Sequence, residues 1–238
     1  MNTFRYLFPI LAALSLPAWA ASAPDDLTEH LAACNVCHGA RGEGATGSEY
    51  YPHLAGKPAG YLLRQLRAFR DGGRNYPQMG WLMRNMDDAY LQAIAEHFAA
   101  LPPRTRVPDA PVRTVQPALA ERARALIEHG DAARGLPACA ACHGADLAGL
   151  EPAVPALVGL PEEYLVAQLG GWRTGVRRAQ QPDCMADIAR KLEPAEIRAL
   201  AGWLSAQEHT EPHRPAAAGS LLPPLACAGL PHAQQVQP

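Results

Sequence analysis

Cys34-Asn35-Val36-Cys37-His38 and Cys139-Ala140-Ala141-Cys142-His143 are two copies of one pentapeptide, Cys-x-x-Cys-His, and they decide how the rest of the chain folds. This spacing is typical of covalently attached haem. Two thiols about one helical turn apart can each add to a vinyl group, and the next residue places an imidazole beneath the iron. The sequence therefore predicts two haem c groups and no catalytic residue. The predicted cofactor-binding residues are Cys34, Cys37, His38, Cys139, Cys142 and His143.

Other uses of the same residues have to be weighed. A Cys-x-x-Cys pair beside a histidine also binds zinc, acts as a redox dithiol or closes as a disulfide. A zinc site usually needs two further ligands at regular spacing, and neither copy is followed by such a pair. Haem is favoured because the pentapeptide occurs twice inside a longer internal repeat.

The first 20 residues have the pattern of a secretory signal peptide. Arg5 precedes an apolar run over residues 6–16, and Pro17-Ala18-Trp19-Ala20 supplies an A-x-A cleavage pattern. The run is short for a membrane span, although an uncleaved anchor remains the alternative. We therefore expect a periplasmic protein with no transmembrane segment in the mature chain. Thioether-linked cysteines suit an oxidising compartment because they are no longer free to form disulfides.

The composition is that of a soluble protein of one or two domains. The 238 residues are 48% hydrophobic and carry a formal net charge of −2. This near-neutral balance gives no indication of a nucleic-acid partner. Lysine occurs only at Lys57 and Lys191, so nearly all positive charge is arginine.

A second repeat follows each pentapeptide. Tyr51-Pro52-His53-Leu54-Ala55-Gly56 returns as Val154-Pro155-Ala156-Leu157-Val158-Gly159, and Tyr61-Leu62-Leu63-Arg64-Gln65-Leu66 returns as Tyr164-Leu165-Val166-Ala167-Gln168-Leu169. Farther along the chain, Phe69-Arg70 corresponds to Trp172-Arg173 in the second copy. Two domains of common ancestry explain this better than coincidence. The predicted bounds are 24–101 and 118–208 for the domains, 102–117 for a proline-rich linker that sets the inter-haem geometry, and 209–238 for an irregular Pro/Ala-rich tail.

Apolar residues recur at helical spacing in both halves, and strand signals are nearly absent. A middle helix is predicted over residues 58–70, and its counterpart is predicted to begin at Pro161 and to end at Gly170-Gly171. The last helix of each half is predicted to begin at Asp87-Asp88 and at Glu193-Pro194. The fold class is therefore all-α.

Methionine is the expected second axial ligand of a high-potential haem. Met79 follows His38 by 41 residues and Met185 follows His143 by 42, so each recurs at the same place in its half, in a loop just before the last helix. The predicted metal ligands are thus His38, Met79, His143 and Met185. Met83 and Met86 have no counterpart methionines and are assigned to packing.

Two cysteines lie outside the pentapeptides. In an exported protein, two cysteines left over from other motifs most often form a disulfide. A disulfide between Cys184 and Cys227 would hold the tail near the second haem. Thiolate ligation by Cys184 in place of its neighbour Met185 is the alternative.

A few polar residues also recur or lie near the predicted sites. Arg74 and Arg177 match across the repeat and are candidates to hold haem propionates, with a solvated surface position as the alternative. Tyr61 and Tyr164 are expected to line the haem pockets or the core. His53 faces Ala156 in the other copy and is expected at the surface or beside a propionate.

Residues 24–208 resemble the periplasmic dihaem cytochrome c4 family. The resemblance rests on an order of motifs that occurs twice: Cys-x-x-Cys-His, Pro-x-Leu-x-Gly, Tyr-Leu-x-x-Gln-Leu, a methionine, and a helix that begins with an acidic residue. The resemblance implies two tandem class I cytochrome c domains, each a few helices around one covalently bound haem, with His/Met ligation at both irons. It also implies that the carbonyls of Pro52 and Pro155 steady the proximal imidazoles. The tail beyond Glu208 and Cys184 beside Met185 depart from the family pattern.

The sequence thus predicts an electron carrier without substrate chemistry of its own, working between redox proteins such as a membrane-bound bc1-type donor and a terminal oxidase. The alternatives are a dihaem enzyme, either a peroxidase or a sulfur-compound dehydrogenase, and a dedicated cytochrome subunit of a dehydrogenase complex. In that last case the tail is the expected docking segment.

Overall fold

A computed structural model describes residues 27–45, 50–103, 116–207 and 214–231. Within these ranges the regular structure is helical, with isolated bridges in place of strands. The prediction of an all-α fold is therefore confirmed. No helix in the described ranges is both long enough and apolar enough to cross a bilayer. The predicted signal peptide, 1–20, lies outside the described residues.

The first half consists of α1 (Leu27–His38), α2 (Ala59–Arg70), α3 (Pro77–Met83) and α4 (Asp88–Ala100). The pentapeptide forms the end of α1. The carboxylate of Asp87 caps α4 by accepting a hydrogen bond from the Tyr90 amide, which satisfies a donor that the helix itself leaves free. The buried apolar residues from α2, α3 and α4 form one core: Leu62, Leu63, Met83, Leu91, Ile94, Ala95 and Phe98.

The second half repeats this plan with more elements. It contains α5 (Pro117–Glu128), a 3₁₀ turn (Ala132–Arg134), α6 (Ala140–His143), α7 (Glu162–Thr174), α8 (Cys184–Lys191) and α9 (Pro194–Ser205). The 3₁₀ turn separates the leading helix from the pentapeptide, whereas α1 contains both. The core lies where α9 packs on α5 and α7.

The predicted helix starts are close to the observed ones, but two predictions of local structure are wrong. Helix α7 runs through Gly170 and Gly171 and ends only at Thr174, because Gly175 adopts the left-handed conformation that terminates a helix. A glycine inside a helix costs only about 1 kcal/mol, so the pair does not stop it. Met79 and Met185 lie within the short helices α3 and α8 and not in loops.

Direct hydrogen bonds join the two halves. The Gly60 amide donates to the Pro152 carbonyl over 3.1 Å, and the Arg178 amide donates to the Gly73 carbonyl over 2.7 Å. A Cβ atom on Gly60 would lie 2.7 Å from the Pro152 oxygen, so this approach requires glycine. The halves therefore hold each other in place through their own surfaces. The predicted linker, 102–117, lies largely outside the described residues, and its last residue is already the first residue of α5.

The described part of the tail, residues 214–231, is irregular and packs against the second half. The Ala216 amide and carbonyl bond to Gly149 and Glu151, and Cys227 forms a disulfide with Cys184 at the start of α8. The tail also contacts the first half, since Arg64 donates to the Gly229 carbonyl over 3.1 Å.

Candidate haem sites

The two pentapeptide histidines have the same local geometry. His38 ends α1 and His143 ends α6, and each is followed by a glycine with φ of 85°. This left-handed glycine turns the chain back, so that the amides of Gly44 and Gly149 donate to the carbonyls of His38 and His143 over 2.6 and 2.8 Å. Both imidazoles are therefore fixed between a helix end and a tight loop.

Each imidazole is oriented by a proline carbonyl. Nδ1 of His38 donates to the Pro52 carbonyl over 2.8 Å, and Nδ1 of His143 donates to the Pro155 carbonyl over 2.8 Å. The structure thus contains both hydrogen bonds that the family resemblance implied. With the proton on Nδ1, Nε2 keeps its lone pair for a metal.

Burial keeps these imidazoles neutral. The pKa of His38 and of His143 is lowered, mainly by desolvation, and the hydrogen bond to proline only partly opposes this. A neutral imidazole is the form that ligates iron.

All four pentapeptide thiols are partly buried. Burial raises the pKa of Cys34 and of Cys139 to about 11, and it also raises the pKa of Cys142. Cys34 lies against the core of the first half, and Cys139 lies against the core of the second.

A cavity of about 630 Å³ opens beside the second pentapeptide. Four of its lining residues are those predicted to hold the second haem: Cys139, Cys142, His143 and Met185. Apolar side chains such as Leu165 and Leu200 form much of the remaining wall, and the volume is within the range of cofactor pockets. The buried indole nitrogen of Trp172, which also lines the cavity, has no hydrogen-bond partner among the described residues. A flat apolar cofactor that carries hydrogen-bond acceptors fits this cavity, because the walls are apolar and the Trp172 indole offers a free donor.

The first half places two of its predicted site residues, Cys34 and Met79, against its own core. Met79 is partly buried and packs against the cluster that also includes Cys34, Tyr61 and Phe69. Met83 is 1% exposed and Met86 is partly buried in the same cluster, so both pack as predicted.

The second half brings the predicted disulfide next to the predicted ligand. Cys184 is bonded to Cys227, so a thiolate of Cys184 is not available as a metal ligand. The disulfide and the side chains of Pro223 and Leu225 all line the 630 Å³ cavity. The tail therefore forms part of the wall of the second site.

The polar residues predicted near the propionates meet between the two halves. Arg177 is buried and stacks on Trp172 with its guanidinium carbon 3.6 Å from the ring centroid, and Arg74 stacks on Phe69 at 4.3 Å. Tyr61 and Tyr164, one from each half, both line the 630 Å³ cavity, and burial raises the pKa of Tyr61 to about 12. His53 is 6% exposed, so the expectation of a surface position is wrong.

Sequence reasoning missed three contributors to this region. Gln65 and Gln168 accept the hydrogen bonds of both arginines, and their recurrence in Tyr-Leu-x-x-Gln-Leu was the available signal. Lys57 is 5% exposed and lines the second cavity although it belongs to the first half. Its only signal was that the chain has one other lysine.

Comparison with known proteins gives the same picture. The cytochrome c family model matches residues 28–99. Cytochrome c4 of Pseudomonas aeruginosa is 32% identical over 204 residues, which cover 84% of this chain and 97% of that protein. The chain belongs to the cytochrome c4-like dihaem family. Its fold is that of two tandem class I cytochrome c domains, and members of this family are electron carriers with covalently bound haem c.

This cytochrome c4-like chain is also similar to proteins named for thiosulfate oxidation. The thiosulfate dehydrogenase electron acceptor of Thiomonas intermedia is 37% identical over 190 residues, covering 80% of this chain and 83% of that protein. The structure of the as-isolated thiosulfate dehydrogenase TsdBA from Marichromatium purpuratum superposes with a TM-score of 0.63 at 35% identity. The match covers 74% of this chain but only 36% of that one, so this chain spans about a third of it.

Proposed function

We propose that this protein is a periplasmic dihaem cytochrome c that carries electrons from a respiratory donor to a terminal acceptor such as an oxidase. Its haem ligands are His38 with Met79 and His143 with Met185. The observation that carries the proposal is the 630 Å³ cavity beside the second pentapeptide, which is lined by Cys139, Cys142, His143 and Met185. The signal-peptide pattern of residues 1–20 supports the periplasmic location.

Each side chain has a distinct task in such a site. The paired thiols would anchor the porphyrin through thioether bonds. The proline-bonded imidazoles of His38 and His143, with Nε2 left free, and the sulfurs of Met79 and Met185 would supply the iron ligands. A bound haem supplies a one-electron couple between ferric and ferrous iron.

The residues around the cavity favour electron transfer over substrate chemistry. Apolar walls would keep water from a bound ring, and a histidine and a methionine at each iron would leave no coordination position for a substrate. Two adjacent sites let one molecule take up two electrons in sequence.

A spectroelectrochemical titration of the purified full-length protein tests this proposal. We expect two haem equivalents per chain, both reduced at high potential, and slow or absent carbon monoxide binding to the reduced protein at neutral pH. Rapid carbon monoxide binding, or one strongly negative couple, would contradict the carrier and favour a dihaem enzyme. Absence of porphyrin mass on the polypeptide would overturn the proposal entirely.

A second candidate function is that of a dedicated electron acceptor for a thiosulfate dehydrogenase. The similarity to the Thiomonas intermedia acceptor favours it. Stopped-flow mixing with a thiosulfate dehydrogenase and thiosulfate separates the two: a dedicated acceptor is reduced at a rate that saturates with its own concentration and far exceeds that of an unrelated monohaem cytochrome. Equal rates for the two cytochromes would favour the general carrier.

The predicted role of the tail in docking needs a gentler test than deletion of residues 210–238, because part of the tail packs on the chain itself. Leu222 is 39% exposed, whereas its neighbour Pro223 is buried. If the tail docks a partner, Leu222→Asp weakens co-purification with the dehydrogenase and leaves the haem spectrum unchanged. Unchanged co-purification would remove the tail from the docking surface.

A further inference from the structure

Trp172 presents a donor without an acceptor. It lies on α7, its Nε1 is buried and has no hydrogen-bond partner among the described residues, and its ring lines the cavity of the second half. Indole nitrogen can only donate, and leaving a buried donor unpaired costs about 1–3 kcal/mol. The Arg177 guanidinium covers one face of the ring, which fixes its orientation. An acceptor within the cavity would remove this cost.

Lys57 presents a cation without a counter-ion in the same cavity. It comes from the loop before α2 of the first half, is 5% exposed, and lines the cavity of the second half. Burial lowers its pKa to about 8, and the neighbouring Tyr164 hydroxyl only partly offsets this. No carboxylate in the described ranges forms an ion pair with it. An anion beside a buried ammonium stabilises its charged form.

Neither residue type recurs at the matching position of the internal repeat. At the positions that match Lys57 and Trp172 in the internal repeat, the chain has Leu160 and Phe69. Leucine carries no charge and phenylalanine has no donor. The arginines, glutamines and tyrosines of the region, by contrast, occur in both halves.

We propose that the Lys57 ammonium and the Trp172 indole N–H bind the propionate carboxylates of the second haem, with Lys57 reaching across from the first half. The proposal rests on the proposed function, because it requires a haem in the 630 Å³ cavity. A haem carries two carboxylates on an apolar ring. The Lys57 cation and the neutral Trp172 donor can each bind a carboxylate, and the apolar cavity suits the ring. The first half contributes in this way to the electrostatics of the second iron.

This assignment has a measurable electrostatic consequence. A cation and a donor that neutralise propionate charge disfavour the additional positive charge of ferric iron, so they raise the reduction potential. Removing either group lowers the potential of the second haem only. Because Lys57→Arg keeps the charge, it separates this electrostatic effect from a local packing defect.

The test uses the full-length protein with both haems, with Lys57→Met and Trp172→Phe as the variants. The matched controls are Lys191→Met, which removes the other lysine, and Trp203→Phe, which changes a tryptophan that packs against the second core. We expect each variant to change the equilibrium constant of the second haem by about threefold to tenfold in favour of ferric iron. A tenfold change in a one-electron equilibrium lowers the reduction potential by about 59 mV. The couples are assigned in a Met79→His background, which lowers only the first.

Lys57→Arg keeps the positive charge and should restore the second couple to within the spread of the controls. Couples in Lys57→Met and Trp172→Phe that equal those of the controls would overturn the assignment while leaving the carrier function intact. Equal shifts of both haems would overturn it as well. Loss of haem from the wild-type protein itself would instead refute the proposed function.

Discussion

Arg177 in the second half donates a hydrogen bond from Nη2 to Oε1 of Gln65 in the first half over 2.7 Å. The reverse pair has the same form, because Arg74 in the first half donates to Gln168 in the second over 2.9 Å. Each arginine also bonds the glutamine of its own half. The four side chains therefore form a closed ring across the interface that follows the internal repeat.

Breaking this ring should destabilise the protein. Gln65→Ala leaves one donor of Arg177 and one of Arg74 without an acceptor, and a hydrogen bond to a charged group contributes about 1.5–3 kcal/mol. We expect a loss of about 2 kcal/mol in the free energy of unfolding, measured by urea titration. Gln92→Ala is the control, since Gln92 bonds only Glu96 on the same helix. Equal midpoints for the two variants would show that the ring does not stabilise the interface.

The axial ligands can be separated by absorption spectroscopy. Met79→Ala and Met185→Ala should each remove about half of the far-red band of Met-ligated ferric haem, because each variant frees one iron. Met83→Leu, which changes a methionine that is 1% exposed in the core, should keep the full band. A full band in either alanine variant would remove that methionine from the ligand set.

The disulfide should hold the tail against the second haem. It joins Cys184 and Cys227, which are 43 residues apart, and closing a loop of this size stabilises a protein by about 2–4 kcal/mol. We expect Cys184→Ser combined with Cys227→Ser to lower the thermal midpoint and to make the tail sensitive to protease. Ser205→Ala, at the end of α9, provides a reference that leaves the disulfide in place. Unchanged protease resistance in the double variant would mean that backbone contacts alone hold the tail.

Glu196 should make the second half sensitive to acid. Burial raises its pKa, but hydrogen bonds from Arg134, the Glu193 amide and Arg122 outweigh this and lower it to about 2. A carboxylate whose pKa is lower in the folded state stabilises above its unfolded pKa of 4.5 and loses this contribution as the pH falls towards 2.

We therefore expect the free energy of unfolding to fall by about 2 kcal/mol between pH 4.5 and pH 2. Glu196→Gln should be less stable than the wild type at pH 7 and should lose less stability over this range. Asp187→Asn is the control, because its carboxylate is exposed and bonds only Arg190 of the same helix. Parallel pH profiles for the wild type and Glu196→Gln would contradict this prediction.

Local patterns were enough to predict much of the fold. The acidic starts of α4 and α9 were found from Asp87 and Glu193 because capping depends on residues within one turn. Gly170-Gly171 predicts the end of α7 too early, because the left-handed Gly175 terminates the helix. Glycine content alone does not fix backbone conformation.

The sequence by itself determined the two Cys-x-x-Cys-His attachment motifs and the all-α repeat, since covalent spacing and helical periodicity are local properties of the chain. It also pointed to Met79 and Met185 through their matched distances from the histidines. Only the tertiary structure decided that Lys57 lies in the cavity of the other half, that Trp172 keeps an unpaired donor there, and that Cys227 reaches Cys184. These contacts join residues far apart in the chain, and their existence depends on how two domains and a tail pack, which no local pattern encodes.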